Sequence, residues 1–325
     1  MNLKLLYLLG RFGPLTAWSG AGVLLAVGVS IAAVGVRAVA WPLFIAGALV
    51  ALLLQYVAHP INDIVDYEVD VKANIQGTGR DKTLISGLAT ARDLKAVAIG
   101  VVALCVVLSA AVIYYRPLAF WFGIVGFAAV AAYNLPPLRL SYHPFSEPLM
   151  GFPTCLAIVV GLSYVATNQL LVFAVPVAIL AGFMIVAVHV TYFAMDVQSD
   201  LWGGKNSTVA TFPRIYWSTF WPALGFVYSV IVAILSTPVF FASTVLFVAM
   251  VFMGVNVDEI RARYMTHVSS LTRAEQFETA RGNPPRFTMD TWNRASAAMR
   301  LTLVQQVKVA ILHGVVLSIL IAVLL

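Results

Sequence analysis

Charge is what this sequence has least of. Only 10% of its 325 residues are charged and 61% are hydrophobic, whereas a soluble domain carries about a quarter charged residues. That scarcity excludes an ordinary soluble domain. Cysteine is almost missing as well. Cys105 and Cys155 lie inside apolar runs without metal-type spacing; they read as packed core thiols and say nothing about redox compartment. The N-terminus, with Lys4 and Arg11 around Leu-rich sequence, lacks a small-residue cleavage site and reads as an interfacial lead-in to a first span, not a signal peptide. What the chain has in abundance is apolar runs of roughly 20 residues, the length of a membrane helix. The fold class expected is therefore an all-α polytopic membrane protein. The formal charge of +6 then reflects the positive-inside rule rather than a nucleic-acid partner.

Nine spans are expected, at 15–36, 40–58, 93–115, 118–133, 147–166, 170–194, 215–236, 238–256 and 302–325, within a single transmembrane domain covering 1–325. Connections after the odd-numbered spans are short and nearly uncharged. Those after the even-numbered spans (59–92, 134–146, 195–214 and 256–301), with the span ends that adjoin them (Asp93, Lys95, Glu147 and Lys308), hold all 14 Asp and Glu and every Lys and Arg following the first span except Arg37 and Arg116. The basic bias predicts that this side, with the N-terminus, is cytoplasmic. Carboxylates do not obey that rule, so their segregation predicts one polar face that carries the chemistry. The 256–300 segment, with seven Arg against five acids, reads as a solvated loop with a short interfacial helix or as a lid over that face.

The acids themselves are patterned. Asn62, Asp66 and Asp70 recur every four residues at the end of one apolar run, and Asp196 and Asp200 do so at the end of another. On helices each set shares a face. Such carboxylates repel in a low dielectric unless a cation sits among them, and hard oxygen ligands of this kind suit Mg2+ shared with substrate phosphates. Each acidic pair is followed by a glycine-containing turn bearing a lysine, Lys82 or Lys205, and the two sets lie 130 residues apart, an echo consistent with two related helical halves. Lys82, Lys205, Arg80 and Arg139, and more weakly Arg11, are candidates to neutralise a diphosphate. Tyr133 precedes the stiff Pro136-Pro137 pair; its ring is suited to face a carbocation. His59 and His189, spaced onto the faces of Asp63, Asp66 and Asp196, are expected to line a cavity. Tyr192 joins them as a candidate substrate contact.

Together, Asn62-Asp63-x-x-Asp66-x-x-x-Asp70, Tyr133…Pro136-Pro137-x-Arg139-Leu140 and Asp196-x-x-x-Asp200…Gly204-Lys205 resemble the UbiA superfamily of intramembrane prenyltransferases over nearly the whole chain. The resemblance implies a nine-helix bundle with a central cavity open to the cytoplasm and, laterally, to lipid. It implies that Asn62, Asp66, Asp196 and Asp200 hold two Mg2+ ions with Asp63 and Asp70 in support. It further implies that Lys82, Arg139 and Lys205 bind the diphosphate and that Tyr133 stands near the reacting carbon. One departure is visible at Gly79-Arg80-Asp81-Lys82, where many members read Arg-Pro-x-Arg-Pro; a bidentate grip becomes a point charge. Asn-Asp-x-x-Asp-Tyr and the Asp-Lys-Thr-Leu run look closer to the menaquinone-forming branch.

The expected activity is Mg2+-dependent transfer of a polyprenyl group from an allylic prenyl diphosphate to an aromatic quinone precursor within the membrane. The alternatives are a glycerol-type lipid, sugar phosphate or tetrapyrrole acceptor, or cyclisation of the prenyl chain itself. A cation transporter is the rival class, disfavoured because its acids would stand near the midplane rather than at helix ends on one side. A membrane scaffold using 256–300 leaves the paired Asp motifs unexplained.

Overall fold

The computed structural model describes residues 16–72, 83–85, 87–203, 205–211, 223–230, 241–253 and 286–324, and among them no strand occurs. In chain order the helices are α1 Thr16–Val34, α2 Trp41–Val65, α3 Tyr67–Lys72, α4 Ala91–Tyr115, α5 Ala119–Asn134, α6 Ser146–Thr167, α7 Ala174–Gly203, α8 Thr208–Thr211, α9 223–230, α10 Phe241–Met253 and α11 Arg286–Leu324. Five are long and apolar enough to cross a membrane: α2, α4, α6, the Ala174–Phe193 part of α7 and the Leu301–Leu324 part of α11. Ser19–Val34, α5 and α10 are shorter apolar helices. Of the expected spans, 215–236 and 238–256 are described only through α9 and α10, and most of 256–300 lies outside the described residues.

Several expected connections are partly helical. The segment 59–92 contains the last turns of α2 and all of α3, α7 runs to Gly203 inside the expected loop 195–214, and α11 begins at Arg286 inside 256–301. Hydropathy ends where polar side chains begin, but the i to i−4 backbone bonds continue. The Asp66 amide still bonds Asn62 O and the Asp70 amide bonds Asp66 O, each at 2.8 Å. The acidic residues therefore stand on helix that projects beyond the apolar segment.

The buried centre is α6 packed on α7, with Cys155, Val159, Val186, Ala187 and Val190 wholly enclosed. By contrast α4 turns Ile99, Val106 and Val107 outward, as a lipid-facing helix does. Helices α1 and α11 pack along their length. A Cβ on Gly28 would stand 2.5 Å from the Ser318 backbone, so only glycine permits that approach, the small-residue mode of membrane packing. Where α4 begins, Thr90 and Asp93 form a reciprocal capping box, which ends the polar connection sharply. Tyr228, Ser243 and His313 tie α9, α10 and α11 through a buried chain of hydrogen bonds, the Ser243–His313 contact being 2.6 Å.

Candidate active site

Asp66 sits where α2 gives way to α3 and has no exposed surface. Its Oδ2 accepts hydrogen bonds from Lys205 Nζ at 2.6 Å and Asn62 Nδ2 at 2.9 Å. Its Oδ1 accepts from the Tyr142 hydroxyl at 2.8 Å and from Arg139 at 3.3 Å. A buried carboxylate is tolerable only when its charge and lone pairs are met in this way. Arg139 reaches it from a left-handed backbone, φ 40°, which is costly for a residue with a Cβ. Its bonds to Val65 O (2.8 Å) and Tyr142 Oη (2.7 Å), and its guanidinium 3.7 Å above the Tyr142 ring, hold it there. Burial, then Asp66, pushes the Tyr142 hydroxyl above its usual range, so it remains a donor.

Lys205 joins the two acidic helices. Its backbone amide bonds Asp200 O at 2.9 Å while its ammonium lies on Asp66. Burial opposes its charge, but Asp66 and Asp200 outweigh that and hold its pKa above the ordinary value. Asp200 Oδ2 accepts from Ser207 Oγ at 2.5 Å. The turn is braced from α6: the Thr208 hydroxyl donates to the buried Glu147 Oε2 at 2.6 Å and accepts the Phe145 amide at 2.8 Å. Sequence reasoning singled out none of Tyr142, Ser207, Thr208 or Glu147. Only their exposure-disfavoured polar character beside the motifs could have signalled them.

These groups line a cavity of about 260 Å³ enclosed by residues of α1, α2, α4, α5, α6 and α7. Asn62, Asp66, Asp200 and Lys205 line it together with His59, Tyr133, His189 and Tyr192. Tyr133, His189 and Phe193 form a stacked series, with centroids 6.0 and 5.1 Å apart. Asn134 Oδ1 and Ser141 Oγ, on the same wall, are buried without a hydrogen-bond partner among the described residues. The remainder is mostly apolar.

Not every expected site residue comes here. Asp63 faces elsewhere: its Oδ2 accepts both the amide and the hydroxyl of Thr83, at 3.1 and 3.0 Å, and so fastens the end of the first polar connection to α2. Asp70 is buried on α3, which packs against α7. Arg11, Arg80 and Lys82 lie outside the described residues, as does the side chain of Asp196, although its backbone belongs to α7. Among the described residues no three His, Cys, Asp or Glu side chains are gathered as a metal-ligand group.

An all-helical membrane protein with buried acids and bases over an apolar cavity is the class that fold and site define. The UbiA prenyltransferase family model matches residues 21–263, and the chain belongs to that family: it is a prenyltransferase. No curated protein matches it. Among solved structures it is similar to a UbiA homolog from Archaeoglobus fulgidus bound to GPP and Mg2+, at 17% identity and TM-score 0.55, covering 94% of this chain and 99% of that one. The same homolog bound to DMAPP and Mg2+ matches at 17% and 0.55, covering 93% and 99%. A digeranylgeranylglyceryl phosphate synthase structure matches at 14% and 0.51, covering 96% and 98%. At these identities the likeness shows the fold.

Proposed function

We propose that the protein transfers a polyprenyl group from an allylic prenyl diphosphate to a planar aromatic acceptor, a quinone precursor of the menaquinone type, at the polar end of this cavity. One observation carries the reading. Lys205 is bonded to Asp66 by its side chain and to Asp200 by its backbone, so the two acidic helices address one small volume at the head of an apolar channel. The proposed architecture is a nine-span bundle whose cavity opens to the cytoplasm, with the N-terminus on that side.

The donor set fits Mg2+ in kind, since Asp66, Asp200 and the Asn62 amide offer hard oxygens to the cavity. Asp196 is assigned with them, Asp70 supports them, and two ions are proposed. Magnesium when bound supplies charge neutralisation to the departing diphosphate. Lys205 and Arg139 add fixed positive charge at the same place, with Lys82, and more weakly Arg11, assigned to the phosphates. Asp63 contributes by fixing Thr83 rather than by touching substrate. The Tyr133 ring faces the developing allylic cation, and the apolar walls keep water from it. The stacked Tyr133, His189 and Phe193 rings, with Tyr192 beside them, suit a flat acceptor better than a glycerol or sugar phosphate. Asn134 Oδ1, Ser141 Oγ and His59 offer that acceptor hydrogen-bonding positions.

The test is to incubate purified protein and Mg2+ with radiolabelled prenyl diphosphates and a panel of hydroxynaphthoate, hydroxybenzoate and glycerol phosphate acceptors. A prenylated aromatic product is expected. Product from glycerol phosphate alone would overturn the acceptor assignment, and cation flux in proteoliposomes without any product would overturn the transferase reading.

A further inference from the structure

Two polar atoms on the cavity wall take no part in the arrangement around Asp66. Asn134, the last residue of α5, lines the cavity beside Tyr133 and is 1% exposed. Its Nδ2 donates to Val130 O, one turn back, at 2.9 Å. Only the NH2 branch of a carboxamide can donate to a carbonyl, so that bond fixes which way round the amide stands. The other branch, Oδ1, is buried and accepts from no group among the described residues. Ser141 repeats the pattern from further along the same connection. It sits in the short 3₁₀ turn Leu140–Tyr142, which packs back on α5. It too lines the cavity, and its Oγ is buried without a partner among the described residues.

A buried polar atom left unpaired is costly and uncommon, and here the backbone that carries the pair is held in place. Arg139 and Tyr142, on either side of Ser141, both bond Asp66. The Arg139 amide bonds Leu135 O, next to Asn134, at 2.9 Å. The chemistry of Asn134 Oδ1 is one-sided: a carboxamide oxygen accepts and never donates. Whatever meets it must bring an O–H or N–H. Ionised phosphate oxygens, ethers and quinone carbonyls are acceptors only, whereas a ring hydroxyl is a donor.

We infer that Asn134 is the specificity-determining residue that reads a free ring hydroxyl on the acceptor, with Ser141 as its second contact, so that the enzyme takes the phenol or hydroquinone form and refuses the ether and the quinone. The stacked Tyr133 and His189 rings address the face of a flat acceptor, and the Asn134–Ser141 pair addresses its edge. The reaction that supplies this acceptor must then deliver a hydroxyarene, and a quinone must be reduced before it is prenylated. The inference rests on the aromatic-acceptor reading for its ligand, but its test reads binding separately from transfer.

The purified full chain, holding Mg2+ and a prenyl thiolodiphosphate, is titrated calorimetrically with a hydroxynaphthoate whose hydroxyl is not adjacent to the carboxylate. The comparison probes are its methyl ether, the naphthoate lacking the hydroxyl and, under argon, a naphthohydroquinone against its quinone. Wild type is expected to bind each hydroxyl form roughly a hundredfold or more tighter than its ether, deoxy or quinone counterpart, as a site built to bond a hydroxyl does. Asn134→Leu should bring those ratios to within about threefold, and Ser141→Ala should lower them roughly threefold. Asn134→Thr should act as Asn134→Leu does. Its hydroxyl can bond back to Val130 O, as Thr191 bonds Ala187 O, so the helix end is kept while the amide oxygen is lost. Should Asn134→Leu not fold, Asn134→Thr decides alone. Joint binding of Mn2+ and the thiolodiphosphate should be unchanged in all three variants. Equal wild-type affinity for hydroxyl, ether and quinone, or Asn134 variants that weaken every probe by one factor, would overturn the inference. Loss of Mn2+ binding in Asn134→Thr would also overturn it, by giving the amide oxygen to the metal. Hydroxyl-selective binding that the Asn134 variants lose, without any prenylated product, would sustain it while ending the aromatic-transfer reading.

Discussion

Asp66 holds Asn62, Lys205, Arg139 and Tyr142 on one buried carboxylate, and the residue-scale consequences follow from that crowding. Asp66→Ala leaves two cations without their counter-charge; losing one partner of a buried pair costs about 3–5 kcal/mol. The variant should therefore lose transfer and also melt earlier in detergent, which thermal aggregation will show. Tyr142→Phe removes one donor while keeping the ring under Arg139. It should cost about 1 kcal/mol of stability and lower turnover roughly tenfold, read as kcat with KM for the donor measured alongside. Lys205→Met should be harsher, a loss of roughly a hundredfold or more, as when a charge-stabilising donor is removed. Asp66 and Asp200 were legible in the sequence because their spacing is local and their chemistry explicit. Tyr142 was not, since its partner lies 76 positions away, and nothing in the local pattern distinguishes a tyrosine that donates to a buried acid from one at a membrane interface. The Thr83 contact of Asp63 was hidden for a similar reason: it sits inside the motif, but the partner lies 20 positions away.

At the scale of elements, the site depends on helices that outlast their apolar segments. Hydropathy pointed to the five helices that are long and apolar enough to cross a membrane among the described residues, and the proline pair was legible through its chemistry. The spacing of four placed the acids on helix faces, but the bounds read for the polar connections hid how far α2 and α7 continue beyond the apolar core, because polar composition there reads as loop. Nor did the sequence show the brace from α6, in which Glu147 and Phe145 grip Thr208 and hold the Lys205 turn. Glu147→Ala should release that turn and weaken donor binding several-fold, whereas Glu147→Gln keeps an acceptor for the Thr208 hydroxyl and should rescue most of it. The contrast between the two, measured as donor affinity, separates bracing from a general loss of fold. Asp63→Ala should leave Thr83 unfastened, and limited proteolysis of membranes will register faster cleavage between α3 and α4.

For the whole molecule, the account is one of sidedness: the proposed metal-binding oxygens and the cations Lys205 and Arg139 gather at one end of an otherwise mostly apolar cavity. The segregation of acids pointed to one polar face, but no periodicity in the sequence pointed to the cavity, because a cavity is what side chains from several helices leave unfilled. A cysteine replacing Glu68 should react with an impermeant thiol reagent only from the cytoplasmic side, and one replacing Leu118, exposed in the turn between α4 and α5, only from the opposite side. The most direct test of the central claim is electron paramagnetic resonance of Mn2+ titrated into the protein with a prenyl thiolodiphosphate. The account predicts that metal and diphosphate bind together in wild type, and that Asp66→Asn and Asp200→Asn each abolish this joint binding. Joint binding that survives either substitution undiminished would contradict it.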